Sequence, residues 1–136
     1  MRIIQIVGLA NTGKTTFIRD LIPHLKKYGR VAVIKHMRDH EFALENGKDT
    51  TVFFESGSDI SVGVDSNKSV MTMKVTDLDR MLAFFKYEGI DFTIIEGFKT
   101  RNFPKIVIGD LSIERCTLQN PSVDEVIASL SSFEDY

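Results

Sequence analysis

A glycine-rich stretch of the pattern G-x4-G-K-T runs from Gly8 to Thr16, directly after the apolar residues 3–7. Between a strand and a helix, such a stretch directs successive backbone N–H groups at a phosphate, at the positive end of the helix dipole. Lys14 supplies a cation for the β- and γ-phosphates, and Thr15 supplies a hydroxyl ligand for Mg²⁺. The stretch therefore predicts a site for a nucleoside triphosphate and Mg²⁺.

A carboxylate stands where a second apolar run ends, because Glu96 follows residues 92–95 directly. If that run is a strand of the same parallel sheet, its carboxyl end lies beside the glycine-rich stretch. A carboxylate in this Walker-B position holds Mg²⁺ directly or through water; the alternative is an ordinary acid at a strand end. We predict catalytic roles for Lys14 and Glu96, with Thr15 and Glu96 as the Mg²⁺ ligands.

A dense polar segment follows a third apolar run, residues 31–34, and begins with Lys35, His36 and Arg38. We predict that these side chains contact phosphate, water or a second ligand, because the carboxyl end of this strand also faces the nucleotide. Two alternatives stay open: the charges belong to a solvated loop, or His36 and His40 bind a metal. The metal alternative is disfavoured because the two histidines have no Cys partner and their spacing requires a helix.

Three further cations, Lys99, Arg101 and Lys105, follow Glu96 and are predicted to extend a positive rim on the same face. Such a rim suits a second phosphorylated molecule, and it equally suits a solvated loop. No nucleophile paired with a base stands out elsewhere in the sequence. The chemistry indicated is therefore the positioning and charge stabilisation of phosphates rather than covalent catalysis.

The elements that must hold these residues alternate between strands and helices. After the glycine-rich stretch, apolar residues recur every three or four positions up to Leu25, which predicts a helix that begins at Lys14 and stops at residues 26–29. Pro23 predicts a kink or a tightened last turn in this helix. Further helices are predicted over residues 49–56, 78–85 and 123–130, strands over 31–34, 92–95 and 105–108, and a hairpin over 59–75. This alternation predicts an α/β fold of the P-loop NTPase type, with a doubly wound, mainly parallel sheet and an antiparallel β-hairpin at one edge.

Length and composition set further limits. The chain has 136 residues, of which 43% are hydrophobic and 26% charged, and this fits a single nucleotide-binding domain over residues 1–136. No apolar run approaches the about 18 residues needed to cross a bilayer, and a formal net charge of −2 indicates no basic face for nucleic acid. We expect a cytoplasmic protein that binds neither membrane nor nucleic acid. Cys116 is expected to be buried, and residues 134–136 are expected to be frayed.

In its ordered set of motifs, the chain resembles the molybdopterin-guanine dinucleotide biosynthesis protein B group, the MobB family. The resemblance covers most of the chain. It rests on Ile6-Val7-Gly8 to Thr16, Ile34-Lys35-His36 with His40, Gly47-Lys48-Asp49-Thr50 with Glu55-Ser56-Gly57-Ser58, and Ile95-Glu96-Gly97-Phe98-Lys99 followed by Pro104-Lys105-Ile106. The glycine-rich motif alone is generic, whereas the ordered set is specific.

The resemblance implies a GTP-binding protein with weak intrinsic hydrolysis, which assists the partner enzyme that attaches GMP to molybdopterin. It implies GTP and Mg²⁺ as cofactors, a molybdopterin guanylyltransferase as partner, molybdopterin as a further candidate ligand, and a homodimer. Motif chemistry alone leaves ATP and GTP open, because the guanine-reading pattern Asn-Lys-x-Asp is missing. The predicted nucleotide ligands are Gly8, Ala10, Asn11, Thr12, Gly13, Lys14, Thr15, Thr16, Lys35, His36, Arg38 and Lys99.

A small-molecule kinase or ATP-dependent phosphotransferase is the alternative function, because many such kinases share this loop and chain length. These kinases usually carry an arginine-rich lid that closes over the phosphates. The arginines of this chain are scattered, at Arg38, Arg80, Arg101 and Arg115 among other positions. A binding module that holds nucleotide without turnover is a third alternative.

Overall fold

The computed structural model describes residues 1–37 and 41–136. They form two compact units, one over residues 1–37 and 82–136 and the other over residues 41–81. The single domain expected from the sequence stays a prediction. In chain order the elements are β1 (Arg2–Gly8), α1 (Lys14–Leu25), β2 (Val31–Lys35), α2 (Asp49–Glu55), β3 (Ile60–Val64), β4 (Ser69–Met73), α3 (Leu78–Tyr87), β5 (Phe92–Glu96), β6 (Lys105–Ile108), β7 (Cys116–Gln119), α4 (Val123–Ala128) and a short 3-10 helix (Leu130–Ser132).

A five-stranded parallel sheet forms the first unit, in the order β2-β5-β1-β6-β7. On one side of the central β1, Ile6 pairs with Glu96 of β5, and on the other side Gly8 pairs with Ile108 of β6. The carboxyl ends of these strands therefore meet at one edge of the sheet, where β1 passes into the glycine-rich loop. The predicted α/β class with a mainly parallel sheet is confirmed.

The hydrophobic core of this unit lies between the sheet and the helices α1 and α4. Alternate residues of β1, Ile4 and Ile6, pack in one cluster with Ile18, Leu21 and Leu25 of α1. The spacing of three and four along α1 produces that apolar face, and each fully buried side chain contributes about 1.5–3 kcal/mol by leaving water. This packing fixes α1 against β1 and so positions the loop that joins them.

The second unit contains α2 and the antiparallel pair β3 and β4, which form a separate two-stranded sheet. The predicted hairpin is therefore confirmed, but its predicted place at the edge of the parallel sheet is wrong, since β2 and β7 are the edge strands there. The hairpin packs on α2 instead, and Ser61 Oγ donates to the Thr50 carbonyl at 2.8 Å. The helix α2 therefore covers part of the hairpin.

Two expectations for the C-terminal part of the chain are wrong. Cys116 is exposed rather than buried, because it begins the edge strand β7, a strand that the sequence analysis did not predict. The last residues are also paired rather than frayed. Asp135 forms a bridge and an ion pair at 3.3 Å with Arg2, and the Tyr136 N–H donates to the Met1 carbonyl at 2.8 Å.

None of the helices in the described part of the chain combines the length and the apolarity needed to span a bilayer.

Candidate functional site

The glycine-rich loop, residues 8–13, joins the end of β1 to the first residue of α1. A Cβ on Gly8 would lie 2.3 Å from the carbonyl oxygen of Ile108, so only glycine allows β1 and β6 to approach this closely. Gly13 caps α1 with a left-handed φ of 89°, and Asn11 is left-handed at 58°. Left-handed residues in such a loop turn N–H groups toward one side, which is the geometry of an anion-binding nest.

Lys14 is the first residue of α1, and its ammonium folds back onto the loop. Its Nζ donates to the Leu9 carbonyl and lies 3.5 Å from Thr12 Oγ1. The Thr12 hydroxyl donates to the same carbonyl at 3.0 Å. The cation that the motif assigns to the phosphates therefore lies at the glycine-rich loop.

Four charged side chains from separate segments converge at this end of the sheet. Burial is the largest influence on the pKa of Lys14 and lowers it, Glu96 raises that pKa, and Lys99 and Lys35 lower it further. The three cations and the carboxylate therefore influence one another electrostatically, and Lys35 Nζ lies 3.5 Å from Glu96 Oε2. Their net positive charge suits a polyphosphate, and the binding of nucleotide by these residues stays a prediction.

Glu96 ends β5 at the register position between Ile6 of β1 and Lys35 of β2. Its side chain is 13% exposed, and the Lys35 Nζ lies 3.5 Å from Oε2. A largely covered carboxylate on the strand next to β1 has the donor chemistry and position for a Mg²⁺ ligand. The ion pair with Lys35 gives the carboxylate a defined direction.

The remaining predicted ligands of the glycine-rich loop are on the surface. Ala10 and Asn11 are exposed within the loop, and Thr15 and Thr16 are exposed in the first turn of α1. Backbone N–H groups in the first turn of a helix have no acceptor within the helix. This surface therefore offers donors and hydroxyl groups to a ligand from solvent.

His36 follows β2 and stacks on Phe98, with ring centroids 4.2 Å apart and 17° between the ring planes. Its backbone N–H donates to the Glu96 carbonyl at 2.9 Å, so the histidine is fixed beside the Walker-B strand. Within residues 1–37 and 41–136 there is no group of three or more His, Cys, Asp or Glu side chains that could hold a metal ion. Arg38 and His40, which the sequence analysis singled out, lie outside the described residues.

A buried amide supports the loop between β5 and β6, residues 97–104, which we term the β5–β6 loop. Gln5 of β1 is fully buried, and its Nε2 donates to the carbonyls of Gly97 and Phe98 at 2.8 and 2.7 Å. The sequence analysis treated Gln5 as part of an apolar run. A polar residue inside a buried strand was the signal, because such a group requires hydrogen-bond partners.

Lys105 is the cross-strand neighbour of Gln5 and supports the same loop. Only 3% of the residue is exposed, and its Nζ donates to the carbonyls of Arg101 and Phe103 at 2.8 and 3.1 Å. Its predicted place in a positive surface rim is therefore wrong. The β5–β6 loop crosses the sheet without a helix, so its inward carbonyls need buried donors, and Lys105 supplies one.

Comparison with protein families shows that residues 3–132 match the model of molybdopterin guanine dinucleotide synthesis protein B, MobB. The chain is 31% identical over 134 residues to a molybdopterin-guanine dinucleotide biosynthesis adapter protein of Haemophilus influenzae, across 96% of this chain and 74% of that protein. A relative from Methanocaldococcus jannaschii is 37% identical over 112 residues. Those residues are 79% of this chain and 47% of the relative, so the chain spans about half the length of that protein.

Solved structures share the fold. The crystal structure of Bacillus subtilis MobB superposes with a TM-score of 0.76, at 24% sequence identity and with both chains covered completely. A MobB protein homolog from Bacillus stearothermophilus gives a TM-score of 0.62 at 16% identity, over 96% of this chain and 93% of that chain. The arrangement of a parallel sheet and a separate hairpin thus recurs in this group of structures.

Proposed function

Because the chain belongs to the family of molybdopterin guanine dinucleotide synthesis protein B, we propose that it is a GTP-binding adapter of molybdopterin-guanine dinucleotide biosynthesis. In this proposal it assists the guanylyltransferase that attaches GMP to molybdopterin, and it hydrolyses GTP slowly by itself. The observation that carries the proposal is the glycine-rich loop with Lys14 at the carboxyl end of β1, beside Glu96 at the end of β5.

The glycine-rich loop and the first turn of α1 would bind the phosphates. Phosphate oxygens accept hydrogen bonds from the free N–H groups at a helix start, and the helix dipole favours their charge. Lys14, whose ammonium already lies at the loop, would pair with the β- and γ-phosphates. Lys35 and Lys99 bring two more positive charges to the same end of the sheet, which favours a triphosphate over a less charged ligand.

The residues at this site fit a Mg²⁺ ion that is held partly by the nucleotide. Mg²⁺ in nucleotide sites usually takes one or two carboxylates, the substrate phosphates and several waters. Thr15 offers an exposed hydroxyl and Glu96 a largely covered carboxylate. When bound, the ion would neutralise charge that develops on the transferred phosphoryl group. Lys35, 3.5 Å from the Glu96 carboxylate, would hold that carboxylate in place.

We propose slow hydrolysis because the phosphate-binding surface is open to solvent. Ala10, Asn11, Thr15 and Thr16 are all exposed, so water has access to the place where the phosphates would lie. In related phosphoryl-transfer systems, an arginine supplied by a partner is worth about 10³- to 10⁵-fold in rate. An adapter of this kind would depend on its partner protein for a fast reaction.

A titration of GTP and of ATP, each with and without Mg²⁺, tests the nucleotide part of the proposal. We expect GTP to bind more tightly than ATP and Mg²⁺ to strengthen binding. A matched control is Lys27→Ala, which removes an exposed cation beyond the end of α1 and should leave both affinities unchanged. Equal affinities for GTP and ATP, or binding of neither, would contradict the proposal.

A phosphate-release assay with and without a molybdopterin guanylyltransferase tests the adapter part. We expect the rate of release, or the yield of guanylated product, to rise when both proteins are present. Transfer of a phosphoryl group to a small molecule in the absence of that enzyme would instead support the kinase alternative.

We further propose that the protein forms a homodimer through its hairpin. Val70 and Met71 of β4 are 64% and 45% exposed, and Ile60, Val62 and Val64 of β3 are exposed as well. Among the described residues β3 and β4 pair only with each other, so each strand has a free backbone edge, which is a ready surface for another chain. A second copy would remove both the apolar side chains and the free edge from water.

A further inference from the structure

We propose that the cavity beside the β5–β6 loop is a second anion site, which takes the phosphate group of a second small-molecule ligand next to the nucleotide site. The nucleotide site itself rests on the function proposed above. The second site rests on the built geometry of the loop and on the cations that face the cavity.

The cavity has a volume of about 240 Å³ and opens between the β5–β6 loop and the segment that follows β6. This volume is large enough for a phosphate group with its ester oxygen and bound water. Its lining contains three cations and one carboxylate, together with polar and apolar groups: Lys99, Thr100, Arg101, Asn102, Lys105, Ile113 and Glu114. Even without Arg101, two lysines, Lys99 and Lys105, stand against the single carboxylate of Glu114 in this lining, which indicates an anionic ligand.

Two side chains of the parallel sheet hold the β5–β6 loop, which forms a wall of this cavity. Gln5 and Lys105 are neighbours on one face of the sheet, and both donate to carbonyls of the β5–β6 loop. Four loop carbonyls are held in this way, those of Gly97, Phe98, Arg101 and Phe103. The backbone that carries Lys99 and Arg101 is thus held in place before a ligand arrives, which lowers the entropic cost of binding.

The described residues compensate the charge of Lys105 only in part. Burial is the largest influence on its pKa and lowers it, Arg115 lowers it further, and Glu114 raises it. No carboxylate of residues 1–37 and 41–136 forms an ion pair with its Nζ within 4.0 Å. A buried charge is costly unless it is paired, and two carbonyl acceptors only partly meet that cost. An anion in the adjoining cavity would complete the pairing.

Lys99 connects this cavity to the nucleotide site. It lines the cavity, it follows Glu96 at the end of β5 by three residues, and it lowers the pKa of Lys14 in the glycine-rich loop. An anion bound beside Lys99 would therefore lie near the phosphates of a bound nucleotide. This arrangement suits a protein that holds a nucleotide and a phosphorylated compound side by side, and the ligand class is a phosphomonoester.

The test is a titration with inorganic phosphate, followed by ³¹P NMR at constant ionic strength. Lys14→Ala is the starting variant, because it removes the principal cation of the glycine-rich loop. We expect this variant to retain one phosphate site. Adding Lys105→Gln, which keeps an amide donor for the loop but removes the charge, should weaken phosphate binding by about tenfold or more, as for loss of a charged hydrogen bond.

Two further variants keep the test decisive. Lys14→Ala with Lys99→Ala should also weaken phosphate binding at the second site. Because this variant keeps Gln5 and Lys105, it still tests the site if Lys105→Gln unfolds the β5–β6 loop. Lys14→Ala with Lys27→Ala is the matched control and should bind phosphate like Lys14→Ala alone. The proposal is wrong if Lys14→Ala binds no phosphate, or if neither Lys105→Gln nor Lys99→Ala changes its affinity.

The outcome separates this inference from the proposed function. If the wild-type protein binds no GTP but Lys14→Ala still binds phosphate through Lys105, the second site stands and the nucleotide proposal falls. If the wild type binds GTP while Lys14→Ala binds no phosphate, only the second site falls.

Discussion

Replacing Gly8 by alanine adds one methyl group at a point where β1 and β6 leave no room for it. The new Cβ would lie 2.3 Å from the Ile108 carbonyl oxygen and 2.9 Å from Thr12 Oγ1. Unstrained contacts of this type are about 3.3 Å or longer. The backbone of β6 cannot rotate away as a side chain could, so the two strands must separate by roughly 1 Å at their carboxyl ends.

The cost of that separation can be worked out from its parts. Overpacking of a tight site costs roughly 1–3 kcal/mol, and displacing the Thr12 hydroxyl from its hydrogen bond with the Leu9 carbonyl adds about 1 kcal/mol. The expected loss is therefore about 2–4 kcal/mol in the free energy of unfolding. At about 4 °C per kcal/mol for a chain of this length, Tm should fall by roughly 8–16 °C.

The assay is thermal unfolding followed by far-UV circular dichroism in the absence of nucleotide, with Gly13→Ala as the matched control. A Cβ on Gly13 meets nothing within 4 Å, so that variant carries only the strain of a left-handed alanine, about 1–2 kcal/mol. Its Tm should fall by roughly 4–8 °C. If Gly8→Ala melts within about 2 °C of the wild type, or if Gly13→Ala is the less stable variant, the close approach of β1 and β6 is refuted.

Four further predictions concern binding and assembly. Lys14→Ala should weaken triphosphate binding by about tenfold or more. Its circular dichroism spectrum should be unchanged, because burial lowers the pKa of Lys14 and the charge therefore does not stabilise the fold. Wild-type affinity would exclude the glycine-rich loop as the nucleotide site. Glu96→Gln should reduce Mg²⁺-dependent binding or hydrolysis more than Mg²⁺-free binding, since the amide loses the charge that attracts the ion; an equal effect in titrations with and without Mg²⁺ would make Glu96 structural. Steady-state assays should show slow GTP hydrolysis by the protein alone, and rapid turnover would favour a self-sufficient enzyme. Analytical ultracentrifugation should show that the wild-type protein is a dimer. Val70→Lys places a charge in the exposed face of the hairpin and should convert the dimer to a monomer. If the variant remains a dimer, the interface lies elsewhere.

The region around the glycine-rich loop was predictable because its signals are local. The order of an apolar run, a glycine-rich stretch and an amphipathic helix predicted β1, the loop and α1, and the run before Glu96 predicted β5. The parallel pairing of β1 with β5 then follows from α/β topology, and it brings Glu96 near Lys14. These steps need only residue spacing and the right-handed connection of parallel strands.

The parts that the sequence did not reveal depend on contacts between distant residues. Lys105 looked like a surface cation because nothing beside it in the sequence indicates that the β5–β6 loop folds over it. Gln5 was counted in an apolar run for the same reason, since its partners in the β5–β6 loop are distant in the sequence. β7 was missed since an exposed edge strand needs neither an apolar run nor alternation, and the hairpin was misplaced because its covering comes from α2.

The exposed thiol of Cys116 has a practical consequence for the study of assembly. It is the only cysteine of the chain, and it lies on β7, whose outer edge is unpaired within the five-stranded sheet. Under oxidising conditions two copies could be joined by an intermolecular disulfide at this edge, and the product would have the mass of a dimer without any contact between hairpins. A reductant, or a Cys116→Ser variant, distinguishes the two species. The same unique thiol gives a single attachment point for a maleimide fluorophore, without engineering a new cysteine.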